Sequence, residues 1–165
     1  MRIGVVSDTH GHVGYARTAV ELLRGLKVEV ILHCGDIGST RIIPLFADWP
    51  THFVFGNVDH DYGSLQAVII EAGQTCHNRF GELELAGRKI AFLHSDDGNL
   101  FRQTIRSGEF DLVCYGHTHE AEQHQVGKTL VLNPGALYRA NPQSFAVVDL
   151  QTMHAEHHPL PVTNA

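Results

Sequence analysis

Short apolar runs that stop abruptly at Asp, Asn or His recur along this chain. Ile3-Gly4-Val5-Val6 runs into Ser7-Asp8-Thr9-His10. Side chains at i and i+2 of a strand share a face, so a buried strand here offers the Asp8 carboxylate and the His10 imidazole together at its C-terminal tip. The pattern repeats: residues 28–34 end in Gly35-Asp36, residues 51–55 in Gly56-Asn57-Val58-Asp59, residues 89–93 in His94, and residues 111–115 in Gly116-His117-Thr118-His119. Between these runs, apolar positions at Val13, Ala16, Ala19, Val20, Leu22 and Leu23 predict a helix over 13–26. Further helices are expected over 40–48, interrupted by Pro44, over 62–72 and over 99–107. Strand, helix, strand implies parallel βαβ units, and open α/β sheets carry their sites at the C-terminal ends of such strands.

The second half turns β-rich. Strands are predicted over 76–80, 82–86 and 89–93, with Ala86-Gly87-Arg88 as a hairpin turn, and over 121–126, 129–132, 145–150 and 154–160. A βαβ first half and a largely β second half suggest two sheets packed face to face with helices outside. At 165 residues a single domain, 1–165, is expected, with no repeat or linker to divide it.

Charge and composition narrow the function. A net charge of −6 without a Lys/Arg stripe argues against binding duplex nucleic acid, so any anion handled here would be attracted by bound metal. No apolar run approaches the roughly 18 residues of a membrane span, and Met1-Arg2 lacks a secretory h-region, so a cytoplasmic location is expected. Cys34, Cys76 and Cys114 are odd in number and widely spaced, which reads as free thiols. The composition leaves room for a homo-oligomer.

One Asp-x-His is weak, because a lone His or Asp at a strand end is commonly a turn former. Five stations of this kind in one chain form a ligand set. Mixed carboxylate, amide and imidazole donors suit Mn, Fe, Zn, Ni or Co better than Mg or Ca, which prefer oxygen shells.

The string Asp8-x-His10, Gly35-Asp36, Gly56-Asn57, His94 and Gly116-His117-x-His119, followed by Asn133-Pro134-Gly135, resembles the calcineurin-like metallophosphoesterase superfamily, in particular its small single-domain bacterial and archaeal phosphodiesterases. That resemblance implies a four-layer α/β/β/α sandwich of two mixed sheets and a pair of divalent transition-metal ions, manganese foremost. It implies that Asp8, His10 and His119 hold one ion, that Asn57, His94 and His117 hold the other, and that Asp36 bridges them. The implied reaction is hydrolysis of a small phosphodiester by a metal-bridging hydroxide, without a side-chain nucleophile. Ser7 then reads as packing beside Asp8.

Two departures stand out. Val58 occupies a position where relatives carry His or Cys, so a proton for the leaving group would come from His60, Asp59, Asp97 or water. Asp59 has a second reading, as a partner that orients a ligand. Ser95-Asp96 replaces a usual Gly-His, which puts acid beside the phosphate and predicts weak action on dianionic monoesters. Two rival functions are a non-catalytic protein-interaction scaffold of the same fold and a phosphatase acting on nucleotides or dinucleoside polyphosphates. The latter calls for an aromatic slot, with Phe55, Tyr62, Phe101 and Tyr138 as candidates.

Overall fold

The expected strands assemble, in a computed structural model that describes residues 1–161, into two mixed sheets. The first contains β1 (Arg2–Val6), β2 (Val30–His33), β3 (Thr51–Phe53), β4 (Thr75–Cys76), β10 (Ser144–Asp149) and β11 (His154–Pro159), in the order β11-β10-β1-β2-β3-β4. The second contains β5 (Phe80–Leu85), β6 (Arg88–Leu93), β7 (Leu112–Tyr115), β8 (Ala121–Val126) and β9 (Thr129–Pro134), in the order β5-β6-β7-β9-β8. β1 to β4 run parallel, as do β6, β7 and β9, while β10 and β11 in the first sheet and β5 and β8 in the second pair antiparallel with their neighbours.

Alternation along each strand sorts the apolar residues into three layers. Ile3, Val5, Val30 and Leu32 face Ile90, Phe92, Leu112 and Leu132 between the sheets. On the outer face of the first sheet, Val6 and Ile31 meet α1 (Val13–Gly25), a 3₁₀ helix (Thr40–Phe46) and α2 (Tyr62–Glu71), through Ala16, Leu23, Ile42, Phe46, Leu65 and Ile69. Ala91, Leu93 and Val113 face the opposite way, toward α3 (Gly98–Arg106) and Phe110. The result is the expected α/β/β/α sandwich. Gly4 permits α1 to approach closely, because a Cβ there would sit 2.7 Å from Ile31 Cδ1 and 2.9 Å from Leu23 Cδ2.

Three expectations need correction. The helix expected over 40–48 is a 3₁₀ rather than an α-helix and ends at Phe46 (Thr40–Phe46), since Pro44 has no N–H for an i→i−4 bond and its ring crowds the preceding turn. Residues 76–80 are not one strand. β4 stops at Cys76, Asn78 turns the chain with φ 58°, and Phe80 opens β5 in the other sheet. Asn tolerates that left-handed conformation better than most residues, which lets the chain cross between sheets here. The C-terminal strand ends at Pro159, with Leu160 outside it and buried. No helix among the described residues is long and apolar enough to cross a membrane. The cysteines are free, Cys34 and Cys114 within the core.

Candidate metal centre

The parallel strands β1, β2 and β3 of one sheet and β6 and β7 of the other end at one edge of the sandwich, and the loops that leave them carry the ligand candidates. Asp8 and His10 follow β1, Asp36 follows β2, Asn57 follows β3, His94 follows β6, and His117 and His119 follow β7. Five of the seven, Asp8, His10, Asp36, His117 and His119, adopt positive φ between 45° and 75°. Left-handed backbone costs a residue other than glycine about 1 kcal/mol or more, and such strain concentrates where side chains must be aimed.

Two groups of donors converge. His119 Nε2 lies 3.1 Å from Asp8 Oδ1, and His10 Nε2 lies 3.3 Å from His119 Nε2 and 3.7 Å from Asp8 Oδ1. His94 Nε2 lies 3.1 Å from Asp36 Oδ2 and 3.9 Å from Asp8 Oδ1. Asp8–His10–His119 and Asp8–Asp36–His94 each have the proximity needed to hold an ion. Asn57 and His117 face each other beside the second group, with Oδ1 and Nδ1 3.0 Å apart. Donors bound about 2.1 Å from one ion lie roughly 3 Å from one another at an octahedral edge, close to the 3.0–3.3 Å of the His119–Asp8, His10–His119, His94–Asp36 and Asn57–His117 pairs, while Asp8 Oδ1 is farther from His10 and His94. His10 Nε2 is also 3.6 Å from Asp36 Oδ2, so Asp36 adjoins both groups.

The donor atoms are also in the right protonation state. His94 Nδ1 donates to the Cys34 carbonyl at 2.9 Å, and His119 Nδ1 donates to the Arg139 carbonyl at 3.1 Å. A carbonyl can only accept, so both Nδ1 atoms carry the proton and both Nε2 lone pairs point into the site. Among the described residues, Asp8 Oδ1 and His94 Nε2 are buried with no partner in hydrogen-bonding geometry, although His119 and Asp36 stand 3.1 Å from them. Such groups are rare and costly, and a cation at this point would satisfy both. The residues present therefore fit two divalent ions.

Electrostatics point the same way. Burial pushes the Asp8 carboxyl up, but His10, His119, His94 and Ser7 outweigh it and hold the group well below the usual carboxylate range. Asp36 behaves similarly, with burial opposed chiefly by His94. For His94, burial lowers the pKa while Asp36 and Asp8 raise it, with a net upward shift.

The supporting residues were less visible in the sequence. Ser7 Oγ donates to Asp8 Oδ2 at 2.6 Å and the His117 amide to the same oxygen at 3.2 Å, which leaves Oδ1 for the site. Gly116 makes this approach feasible, because a Cβ there would lie 2.0 Å from Ser7 Oγ and 2.8 Å from Asp8 Oδ2. Gly56 does the same for Asp36, whose Oδ1 would be 2.1 Å from an added Cβ. Asp59 is buried and accepts from the amides of Ile37, Gly38 and Gly56 at 3.1, 2.8 and 2.9 Å, tying the Asp36 loop to the Asn57 loop. Asn133 Nδ2 donates to the Gly116 carbonyl and to Thr118 Oγ1, which positions the loop bearing His117 and His119.

The other candidates are dispersed. Asp97 caps α3, its Oδ1 accepting from the amides of Asn99 and Leu100 at 3.1 Å. His60 is exposed and, with Gly38, Ser39, Thr40, Val58 and Leu65, lines a cavity of about 370 Å³ beside the Asp36 and Asn57 loops. Of the aromatic residues, Phe55 is in the core and Phe101 packs on Tyr115, so neither lines a slot. Tyr138 lies 6.1 Å from His10, but its ring is stacked on His12, with Arg139 5.4 Å from the ring centre.

A four-layer sandwich whose converging strand tips bring Asp, Asn and His donors close enough to hold metal is the arrangement expected of a metal-dependent phosphoester hydrolase. Residues 1–153 match the calcineurin-like phosphoesterase superfamily domain, and the chain belongs to that family. It is 33% identical over 138 residues to "Phosphodiesterase MJ0936" of Methanocaldococcus jannaschii, covering 82% of this chain and 83% of the relative. It is 29% identical over 143 residues to a "Probable metallophosphoesterase" of Methanothermobacter thermautotrophicus, covering 82% and 77% respectively. Among solved structures, one described as a novel archaeal phosphodiesterase superposes with a TM-score of 0.90 at 29% identity, covering 97% of this chain and all of that one.

Proposed function

We propose that this chain hydrolyses a small phosphodiester with two divalent transition-metal ions, manganese foremost, in the cytoplasm. The observation that carries the reading is the pair of buried, unpartnered donors, Asp8 Oδ1 and His94 Nε2, ringed by five further ligating side chains. Asp8, His10 and His119 would hold one ion, Asn57, His94 and His117 the other, and Asp36 would be shared. When bound, such ions supply an activated water and positive charge opposite the phosphoryl oxygens.

The chain's own residues do the remaining work. Cys34 and Arg139 carbonyls fix two imidazoles, Ser7 fixes Asp8, and Asp59 sets the distance between two ligand loops. Of the three proton-donor candidates, Asp59 and Asp97 are committed to backbone amides, whereas His60 lines the cavity beside Val58. We assign leaving-group protonation to His60 or solvent. The full ligand set favours an enzyme over a scaffold, and the absence of an assembled aromatic slot among the described residues, with Phe55 in the core, Tyr62 exposed beside it, Phe101 packed on Tyr115 and Tyr138 stacked on His12, disfavours a nucleotide-specific phosphatase.

The test is a metal-depleted protein reconstituted with Mn, Ni, Zn or Mg and assayed on bis-p-nitrophenyl phosphate and p-nitrophenyl phosphate. Metal-dependent turnover of the diester, lost with chelator, is the expected result. Absence of turnover under every metal would overturn the reading.

A further inference from the structure

Arg79, in the crossing between β4 and β5, reaches back over the ligand loops. Its Nη1 donates to the Gly56 carbonyl and to the Tyr62 hydroxyl, each at 3.5 Å, and its Nη2 is paired with Asp96 Oδ2. Gly56 precedes Asn57, and Asp96 lies two residues after His94, so the guanidinium stands between two ligand stations assigned to one ion. Arg79, Ser95 and Asp96 line a cavity of about 230 Å³ that has His94 in its wall.

The geometry points to Arg79 as the group that recognises a phosphoryl oxygen, with Asp96 as its internal competitor, so that the pair selects singly charged phosphodiesters against dianionic monoesters. This rests on the phosphoester reading of the site. A guanidinium presents a planar fork of donors that matches carboxylate and phosphate oxygens alike. Asp96 already engages Nη2, one arm of that fork, so a phosphoryl oxygen arriving at that arm competes with a carboxylate rather than filling an open position. The displaced carboxylate remains in the same cavity, because the next residue, Asp97, is pinned as the cap of α3. A diester brings one negative charge and two neutral ester oxygens to this place, whereas a monoester above its second pKa brings two charges and meets the repulsion of Asp96 in full. Arg79 and Asp96 are 42% and 21% accessible, so solvent screens the effect without removing it.

The experiment compares the wild type with Asp96→Asn, Arg79→Gln and the double variant, all loaded with the same metal. One arm measures kcat/KM on bis-p-nitrophenyl phosphate and p-nitrophenyl phosphate; the other measures affinity for inorganic phosphate and dimethyl phosphate by calorimetry. Asp96→Asn is expected to raise monoester kcat/KM relative to diester by about tenfold and to tighten inorganic phosphate by a similar factor, with dimethyl phosphate little changed. In the Arg79→Gln background the same change should have no such effect. If Arg79→Gln fails to fold, Arg79→Lys keeps the charge without the fork and should abolish most of the gain. An equal effect on both ligands, or a gain that survives without Arg79, overturns the assignment. Lack of turnover on either ester with the phosphate affinities moving as stated would sink the hydrolysis reading and leave the Arg79–Asp96 pair standing.

Discussion

Replacing Gly116 by Ala tests whether the close approach of the loop after β7 is what aims Asp8. Gly116 is buried and has no positive φ, so the change introduces volume rather than backbone strain. The added Cβ would stand 2.0 Å from Ser7 Oγ, 2.8 Å from Asp8 Oδ2 and 3.1 Å from the Cys34 carbonyl oxygen, where contacts below 3.0 Å do not persist. At least 1 Å must open against Ser7, which is fully buried and hydrogen-bonded to Asp8. Overpacking of this kind costs about 1–3 kcal/mol. For a chain of this size that lowers Tm by roughly 2–12 °C. Displacement of Asp8 should also exceed the tolerance of about 0.2 Å for a metal ligand. Wild-type protein at a hundredfold excess of manganese over its Kd should gain about 2.7 kcal/mol of stability, and the Ala variant should lose most of that gain. Scanning fluorimetry with and without manganese, together with calorimetric titration, reads both effects. Gly63→Ala, in α2 where an added Cβ meets nothing within 4 Å, is the control and should be neutral or stabilising. A Gly116→Ala protein with wild-type Tm, metal stoichiometry and turnover would refute the reasoning.

Asp36→Asn should remove metal-dependent turnover, by at least about a hundredfold, while circular dichroism stays native, because it weakens the ligand that adjoins both groups. Turnover persisting in that variant would contradict the shared-ligand assignment. Val58→His should speed hydrolysis of esters with poor leaving groups and leave p-nitrophenyl esters unchanged if proton donation limits the rate; equal rates for both would mean that another step does. His33 is held at about 4 by burial, against an ordinary 6.5, and its neutral ring accepts from the Gly35 amide while Nε2 faces Thr9 Oγ1. Its contribution to stability is complete above about pH 6.5 and is lost as pH falls toward 4, by as much as about 3 kcal/mol. In metal-free protein, His33→Gln should flatten that part of the acid-stability profile, and an unchanged slope measured by denaturant titration would exclude the role.

Much of this site was readable because each ligand residue sits at the end of its own apolar run. Unbroken apolar runs such as Ile3 to Val6 and Ile90 to Leu93 give the buried strands, and the Asp, Asn or His that follows, preceded by Gly at Asp36, Asn57 and His117, gives the station. What the sequence did not reveal depends mostly on contacts between residues distant in the chain. Asp59 reads equally well as an acid or an orienting partner until its three backbone donors are seen. Arg79 carries no motif, since its relation to Gly56 and Asp96 is made by the crossing between sheets, the same place where residues 76–80 divide between two strands. Phe55 and Tyr138 look alike in the sequence, yet one is core and the other flanks His10. The 3₁₀ geometry of Thr40–Phe46 could have been foreseen, because Pro44 stood in plain view.

The two sheets share no hydrogen-bonded strand, yet Asp8 and His10 hang from one and His119 from the other, as Asp36 and Asn57 face His94 and His117. A cation gripped between them is thus a rivet through both halves of the sandwich. Stripping it should loosen the two rims together, so amide exchange near residues 8–10 and 116–119 would accelerate in concert although about a hundred residues part them, while the far end of the sandwich stays closed.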